Sequence, residues 1–350
     1  MNYRDFYSSS QVLKVELETV FKSDPIFTGY KTNDITDREI INFEADKNYL
    51  ICKKNNQIYI YENVCPHMGT QLVNKKEMCT TAGKIFCRYH YWSFNIEDGS
   101  VFKTPKYEGD LARGLYSVAH RVWKDFIFIL PDNDFDFDKW IKPLQTHLGH
   151  YRFENGTKNN ISWSHHVNAN WKIIVDNFQD SYHSIFNHKK LEEVVPIEDE
   201  IDLDAQNFLI EVIPIRHYHT VSNSPKTKFL PMGDQSQVFF FYFFPNIIVA
   251  VTPDYYLFQR IKPIDSENSL VENDIYFHKE VPQHMIEIQK KDLIDFWTTL
   301  NEEDKILCEA AHQGLIHFNH HKTFLKEYDH LRLAFESKIL SILSEHGVNF

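Results

Sequence analysis

Cysteine is scarce in this chain, which has five cysteines among 350 residues. An odd number of cysteines without a secretory context argues against a disulfide framework. The amino-terminal stretch also lacks an apolar segment of signal-peptide length, so we expect a cytoplasmic, reducing location. In that setting cysteine binds metals more often than it forms disulfides.

Long apolar runs and excess basic charge are lacking as well. The longest apolar run, residues 238–251, is interrupted by Pro245 and Asn246 and is too short to span a bilayer, so we interpret it as buried strands and expect no membrane association. Lys and Arg number 37 against 49 Asp and Glu, for a formal net charge of −12. Because phosphate binding needs a basic face, this balance argues against a nucleic-acid partner.

The length suggests about two domains, and the patterns change along the chain accordingly. Residues 1–38 are expected to form a helical lead-in that packs with the second domain. Residues 39–135 alternate short strands with tight turns, with hairpins at 53–57 and 98–99, and predict a small all-β domain.

The remainder, residues 136–350, mixes strands with helices, so the predicted fold class is α+β. We expect an antiparallel sheet built largely from 205–280 and helices near 284–315 and 322–346. A further helix is predicted over 170–188, because its apolar residues recur at steps of three and four.

That central helix carries acids and histidines at regular spacing. Asp176, Asp180 and His183 follow at i, i+4 and i+7, which places them along one face. His188 comes five residues after His183 and would point away from that face, so we expect a bend near 186–187. Two imidazoles with neighbouring carboxylates are typical of a metal site. The alternative is chance, since the chain has 19 histidines.

Cysteine and histidine also alternate in two pairs within the small domain. Cys65-x-His67 is followed by Cys87-x-x-His90. Two thiolates and two imidazoles in this order suit an iron–sulfur cluster of the Rieske kind, in which histidines replace cysteines on one of two irons. The alternative is structural zinc, whose sites normally group Cys with Cys and His with His. The other cysteines are interpreted as buried apolar residues, namely Cys52, Cys79 and Cys308.

The sequence resembles the oxygenase (alpha) subunit of Rieske non-haem iron oxygenases over nearly its whole length. The segments CPHMGTQL, CRYHYWSF and DNFQDSYHSIFNH match the family's cluster loops and its iron-binding motif. The tail EEDKILCEAAHQGL resembles the context of the third iron ligand and implies that Asp304 is that carboxylate. Without the resemblance, Asp304 is an acid at a helix start capped by Asn301. The chain departs from the family pattern at three positions, Met68, Tyr91 and His312.

The resemblance implies a cofactor set and an assembly. His183, His188 and Asp304 would hold ferrous iron as two histidines and one carboxylate, with positions open for dioxygen and substrate. A reductase of the flavin or ferredoxin type would pass electrons from NAD(P)H to the [2Fe–2S] cluster. In a homotrimer, Asp180 would bridge His183 to His90 of the partner subunit.

Further implications concern the surroundings of the iron. Asn177 and Asp176 would support the site from nearby, although a structural role for Asp176 is an equal alternative. The family fold is a helix grip, similar to that of the START domain. We expect such a sheet and helix arrangement in residues 136–350.

The sequence says less about the substrate. Aromatic residues make up 15% of the chain, and FFFYFFPN at 239–246 is expected to contribute rings to the catalytic core. An aromatic pocket suits either an arene or a quaternary ammonium group. The tail and the amino-terminal stretch resemble choline- and betaine-type monooxygenases, which favours hydroxylation or oxidative demethylation of a small molecule. The alternatives are an aromatic-ring dihydroxylating subunit and a non-catalytic electron-transfer or structural metal protein.

Overall fold

The structure is a computed structural model. It describes residues 3–350 except 75–76, 79–82, 108, 110–112, 149–155, 195–200, 204–207, 215–236, 253–254, 279–280, 319–321, 324, 326–328 and 349. Two units are present: one joins Met1–Phe21 to Asp138–Phe350, and the other is Lys22–Phe137. Among the described residues, no helix combines the length and apolarity that a membrane span requires.

The chain begins with two short helices, α1 (Tyr3–Ser8) and α2 (Ser10–Glu18). The Ser9 hydroxyl caps α2 by accepting a hydrogen bond from the Val12 N–H at 3.3 Å. Both helices bury apolar residues in the larger unit. The predicted lead-in over 1–38 is therefore divided, because the chain from Lys22 onwards belongs to the smaller unit.

In the residues that the structure describes, the smaller unit is all-β apart from short 3₁₀ turns, as predicted from its strand and turn pattern. The strands described there are β1 (Ile26–Lys31), β2 (Glu39–Glu44), β3 (Asn48–Lys54), β4 (Gln57–Glu62), β5 (Glu77–Met78), β6 (Lys84–Phe86), β7 (Ser93–Asn95), β8 (Val101–Lys103), β9 (His120–Trp123) and β10 (Phe126–Ile129). They form three antiparallel sheets in the orders β4-β3-β2-β5, β6-β7-β8 and β1-β10-β9.

Both predicted hairpins are confirmed. Asn55 and Asn56 connect β3 to β4 with φ of 51° and 62°, the left-handed pair that a two-residue hairpin needs. Gly99, with φ of 67°, lies in the turn between β7 and β8.

The larger unit is an antiparallel sheet with helices, which confirms the α+β prediction. Its sheet has the order β11-β17-β16-β15-β14-β13-β12. The elements after β10 are α3 (Phe137–Leu148), β11 (Gly156–Val167), α4 (Trp171–Phe178), α5 (Ser184–Asn187), α6 (Lys189–Val194), β12 (Ile201–Leu203), β13 (Phe208–Pro214), β14 (Gln237–Phe243), β15 (Ile247–Val251), β16 (Tyr255–Pro263), β17 (Ser269–His278), α7 (Gln283–Phe318) and α8 (His330–Glu345).

Helix α7 packs along this sheet through a buried apolar stripe. Ile286, Leu293, Phe296 and Leu300 share one core cluster with residues from strands β11, β14, β15, β16 and β17. The spacing of these residues keeps them on one helix face. A long helix held against an antiparallel sheet agrees with the predicted helix-grip arrangement.

Two expectations about helices are wrong. The segment 170–188 is not one helix, because α4 ends at Phe178, a 3₁₀ turn follows at Ser181–His183, and α5 ends before His188. One break, at 179–180, is not predicted by the periodicity. A second break, at the end of α5 after Asn187, agrees with the expected bend near 186–187. The second error concerns Asn301, which does not cap a helix because α7 runs through it from Gln283.

Candidate metal centres

Two loops of the smaller unit share a backbone design although their sequences differ. In the first, the Cys65 N–H donates to the Thr70 carbonyl at 2.8 Å and the Gly69 N–H donates to the Cys65 carbonyl at 2.9 Å. In the second, the same two bonds join Cys87 to the residues five and four positions later, at 2.8 and 2.9 Å. Each loop closes on its cysteine and carries one histidine within the turn.

This design shows what the departure from the family pattern at Tyr91 means for the backbone. Gly69 and Tyr91 occupy equivalent positions in the two loops, with φ of 69° and 57°. The left-handed conformation costs a non-glycine residue about 1–2 kcal/mol. The Tyr91 side chain is 70% exposed, so burial of the ring does not offset that cost. The turn requires this conformation whichever residue supplies it.

The four side chains of these loops are arranged unequally about their centre. Cys65 and Cys87 are buried, and burial together with the neighbouring Cys87 thiol raises the pKa of Cys65. His67 and His90 are exposed, with ring centroids 4.7 Å apart. A two-iron cluster with sulfur ligands on one iron and imidazoles on the other fits an arrangement that buries its sulfurs and exposes its imidazoles.

Trp92, which sequence reasoning did not single out, holds one of these imidazoles. Its ring is stacked on His67 at 4.4 Å between centroids and 6° between planes. Of the remaining cysteines, Cys52 and Cys308 are buried, as expected. Cys79 lies outside the described residues.

A second group of potential metal ligands converges in the larger unit. The Nε2 atoms of His183 and His188 are 3.1 Å apart, and they lie 3.2 and 2.9 Å from the Asp304 Oδ1. These are the three residues of a possible metal site in the part of the chain that the structure describes. Residues five apart on a continuous helix diverge by about 140°. Here His183 ends a 3₁₀ turn and His188 follows the end of α5 with φ of −108° and ψ of 65°, so the two histidines do not lie on one continuous helix.

Each histidine of this triad has its outer nitrogen occupied. His188 Nδ1 lies 2.7 Å from Glu303 Oε2. His183 Nδ1 contacts the backbone carbonyl of Asp180. When each Nδ1 carries the ring proton and donates this hydrogen bond, both Nε2 lone pairs are free for a metal ion. The donor set therefore fits a mononuclear iron with two histidines and one carboxylate.

The charges of the triad are coupled. Burial would lower the pKa of His188, but the hydrogen bonds and charges of Asp304 and Glu303 outweigh burial and raise it to about 9. Burial would raise the pKa of Asp304, but hydrogen bonds from His183 and His188 hold it well below its usual value. Without a metal, the site thus favours a carboxylate paired with a protonated imidazole.

Asn177 and Asp180, both predicted to assist the iron, have different positions. Asn177 donates through Nδ2 to Asp304 Oδ1 at 2.8 Å, so it contacts the carboxylate directly. The Asp180 carboxylate is 3.9 Å from His183 Nδ1 and 3.8 Å from Arg332 Nη1. Within this chain the predicted contact of Asp180 with the outer nitrogen is therefore made by its backbone carbonyl, because the chain enters a 3₁₀ turn there.

Asp176, which lies on α4, belongs to a buried cluster of its own. Its Oδ2 accepts hydrogen bonds from the Tyr7 hydroxyl at 2.9 Å and from Lys322 Nζ at 2.6 Å. Glu336 also accepts from both partners, at 3.1 Å each. Asp176 therefore anchors α4 to the amino-terminal helix α1 and to α8, which supports its structural alternative.

A second buried pair anchors the start of α4. Lys172 Nζ lies 2.6 Å from Glu16 Oε1, with the two side chains 1% and 0% exposed. Trp171 Nε1 donates to the other oxygen of Glu16 at 2.9 Å. The helix that precedes the histidines is thus held in place by α2.

A cavity of about 100 Å³ adjoins the triad. Its lining is largely apolar and includes the rings of Phe178, Phe240 and Trp297. The indole N–H of Trp297 donates to the Tyr255 hydroxyl at 3.1 Å. The polar part of the lining, apart from the triad and the residues close to it, is His165, Gln259, Asn301 and Lys305.

Sequence reasoning missed several of these residues. The sequence analysis does not single out Glu303, although its side chain contacts His188. Gln259 and His165 come from strands with no motif, and their sequence context contains no signal for a role. Asn301 could have been found from helical spacing, since it lies three residues before Asp304 on the same helix.

Family comparisons match both units. Residues 28–118 match the model of the Rieske [2Fe-2S] domain, and residues 155–348 match that of the ring hydroxylating alpha subunit (catalytic domain). Choline monooxygenase of Amaranthus tricolor is 25% identical over 330 residues, covering 89% of this chain and 70% of that protein. The carnitine monooxygenase oxygenase subunit of Escherichia coli K12 is 26% identical over 326 residues, covering 89% and 83%.

Solved structures share the fold. A quaternary ammonium Rieske monooxygenase superposes with a TM-score of 0.74 at 23% identity, covering 89% of this chain and 84% of that chain. Naphthalene 1,2-dioxygenase from Rhodococcus has a TM-score of 0.73 at 15% identity, covering 90% and 82%. The same architecture therefore occurs in proteins named for different substrates.

Proposed function

Because this chain belongs to the family of ring-hydroxylating alpha subunits and carries a Rieske [2Fe–2S] domain, we propose that it monooxygenates a small quaternary ammonium compound. The chain is the terminal oxygenase component of such a system. The observation that carries the proposal is the convergence of two Nε2 atoms and one carboxylate oxygen beside a cavity lined by aromatic rings. Relatives named for choline and carnitine favour this substrate class.

In this proposal His183, His188 and Asp304 hold the mononuclear iron, while Cys65, His67, Cys87 and His90 hold the cluster. Bound ferrous iron supplies a site for dioxygen activation, for which the cluster delivers electrons. The chain's own contribution is to orient the ligands. Asn177 keeps the Asp304 carboxylate in position, and Glu303 holds the His188 ring with its Nε2 towards the metal.

The cavity suits a methylated ammonium group. Phe178 and Phe240 meet edge to face at 6.2 Å between centroids, and Trp297 adds a larger ring to the lining. Because the Trp297 N–H already has a partner in Tyr255, its ring offers a π surface rather than a hydrogen bond. A quaternary ammonium is attracted to such surfaces and needs no hydrogen-bond acceptor. Hydroxylation of a carbon bonded to the nitrogen leads to cleavage of that C–N bond with loss of the hydroxyl proton, so that the carbon leaves as an aldehyde and the nitrogen as a tertiary amine.

The assembly is part of the proposal. We infer a homotrimer in which Asp180 bridges His183 to His90 of the partner subunit, and a separate reductase that draws electrons from NAD(P)H. The exposure of both cluster histidines and the partial exposure of Asp180, 24% of its side chain, support contact with another chain. Large apolar side chains beside the cluster are also exposed, among them Met68 at 61% and Tyr89 at 59%. The cytoplasmic location stays a prediction from cysteine content.

The test is product formation by reconstituted protein. We expect iron-loaded enzyme with a reductase and ¹⁸O₂ to convert a quaternary amine to a product bearing one labelled oxygen, or to an aldehyde and a tertiary amine. His188→Ala should abolish iron binding and turnover while the red-brown cluster remains. His166→Ala is the control, since His166 is exposed on β11 and is not among the residues that line the cavity, so this variant should stay active. Full activity of His188→Ala contradicts the assignment.

A second candidate has support from the cavity. Its lining is mostly aliphatic and aromatic, which also suits an arene. An aromatic-ring dioxygenase would incorporate both oxygen atoms into a cis-dihydrodiol, so the same labelling experiment separates the two functions. A non-catalytic electron carrier has no use for the triad of His183, His188 and Asp304 and is not favoured.

A further inference from the structure

A group of three side-chain amides lies at the cavity and is not used by the metal. Gln259 Nε2 donates to Asn273 Oδ1 at 2.8 Å and to Asn301 Oδ1 at 3.0 Å. Gln259 and Asn301 line the cavity, whereas Asn273 does not. The Nδ2 of Asn301 has no hydrogen-bond partner among the described residues, although the residue is 93% buried.

An unpartnered buried amide donor is costly. Leaving such a group without a partner in the folded protein costs roughly 1–3 kcal/mol unless something else satisfies it. An apolar residue of similar size would avoid the cost at this position. A donor kept at the wall of a substrate cavity is accounted for if a bound molecule accepts its hydrogen bond.

The position of Asn301 relates this donor to the metal site. Asn301 precedes Asp304 by three residues on α7, so the two side chains lie on one helix face about 4.5 Å apart along the axis. Lys305, four residues after Asn301, lines the same cavity and is the one Lys or Arg among the described lining residues. His165 also lines it, and its Nδ1 has no partner among the residues described.

Together these groups indicate which kind of ligand the cavity would bind. An amide donor, an imidazole nitrogen and an ammonium group around one cavity favour a hydrogen-bond acceptor with negative charge. Asp304 is the one acid in the described lining, and it points to the two histidines. A carboxylate placed near Asn301 therefore meets donors rather than repulsion.

We propose that Asn301, with Gln259 and Lys305, forms a subsite for the carboxylate of a zwitterionic quaternary ammonium substrate, a betaine. The ammonium end would then contact the rings of the cavity with a methyl group towards the triad. This inference rests on the proposed function and specifies its substrate class. It separates betaines, which carry a carboxylate, from ammonium alcohols and simple tetraalkylammonium ions.

The experiment compares substrates that differ only in the acceptor group. Binding of γ-butyrobetaine and of butyltrimethylammonium is measured by calorimetry on iron-free and iron-loaded protein, and KM and kcat are measured on the loaded enzyme. We expect the wild type to bind the carboxylate compound about tenfold more tightly, the typical gain from a charge-assisted hydrogen bond. A series of shorter compounds compares the binding of glycine betaine with that of tetramethylammonium, and includes choline, whose hydroxyl is an uncharged acceptor.

Variants identify the residues. Asn301→Leu should remove most of the preference by raising KM and Kd for the carboxylate compound alone, with kcat nearly unchanged. Asn301→Asp keeps the size of the side chain and should weaken carboxylate binding further. Asn273→Leu is the matched control, because Asn273 is the other amide that accepts a hydrogen bond from Gln259 and does not line the cavity. This variant should leave the preference for the carboxylate compound within about twofold.

The outcomes separate the inference from the proposed function. If ammonium compounds are oxidised but the carboxylate compound is not preferred, the subsite is wrong and the function stands. Equal loss in Asn301→Leu and Asn273→Leu also overturns the subsite, because the effect then comes from the amide network. If no ammonium compound binds or reacts, both fail. Should Asn301→Leu not fold, Asn301→Asp and Lys305→Met decide, since both should weaken carboxylate binding selectively.

Discussion

Glu303 offers a sharp test of how the metal ligands are oriented. Its Oε2 lies 2.7 Å from the Nδ1 of His188, whose side chain is only 3% exposed. Replacing Glu303 with Ala or Gln removes the carboxylate that holds this ring and its tautomer. The iron should still bind, because all three ligands remain, but it should bind more weakly.

The size of the effect follows from the exposure of the two partners. Loss of such an outer partner typically lowers metal affinity by about 10- to 100-fold. The Glu303 side chain is 38% exposed, so water can replace its contact with the imidazole. We therefore expect the lower end of that range, about tenfold, which corresponds to about 1.4 kcal/mol.

The assay is anaerobic competition for ferrous iron between the protein and a chromogenic chelator. Glu302→Ala is the matched control, since Glu302 is the preceding residue of α7, is 56% exposed and has only a 4.0 Å approach to Lys305. It should leave iron affinity within about twofold. Unchanged affinity in Glu303→Ala would refute the reasoning. If Glu303→Ala loses all iron and Asp304→Ala retains it, Glu303 is the ligand and Asp304 is not.

Three further changes probe the cluster, the electron path and the buried charges. Cys87→Ser should abolish the cluster, measured as loss of inorganic sulfide and visible absorption, and retention of both in the variant would contradict the ligand set. Zinc at these four residues without inorganic sulfide would contradict the cluster itself. Asp180→Asn should keep both metals but lower turnover by about 100-fold or more, and full product yield in a single turnover would show that the carboxylate is dispensable. Glu16→Ala should lower the free energy of unfolding by about 3–5 kcal/mol in urea titrations, because it leaves the charge of Lys172 buried without its partner. Adding Lys172→Met should recover most of that loss, and no recovery would mean that the lost contact with Trp171 dominates.

The ligand chemistry could be predicted from sequence because it depends on residue types at short range. Cys65 and His67, like Cys87 and His90, lie within single turns, so their spacing already brings each pair to one loop. The hairpin at Asn55–Asn56 is similarly local, since its left-handed turn favours asparagine. Asp304 was different: only the family resemblance selected it, because an acid in a long helix has no distinguishing local signal.

The geometry of the triad was decided by the tertiary structure. Helical periodicity predicted one helix with a bend near 186–187, yet His183 ends a 3₁₀ turn and His188 follows the end of α5, and in this arrangement their Nε2 atoms converge to 3.1 Å. Periodicity records which face of a helix is apolar, but it does not record where contacts with other elements end the helix. The same limit applies to Asn301, predicted as a helix cap and found inside α7.

The sequence by itself predicted the four cluster residues, the two histidines of the triad, the all-β and α+β units and the hairpins, because these follow from local residue types and periodic burial, whereas Asp304 came from the family resemblance. The tertiary structure alone decided which groups surround them. Glu303 meets His188 from a position 115 residues away in sequence, and Gln259 meets Asn301 from 42 residues away. Such contacts arise when the sheet and α7 pack together, and no spacing along the chain encodes them.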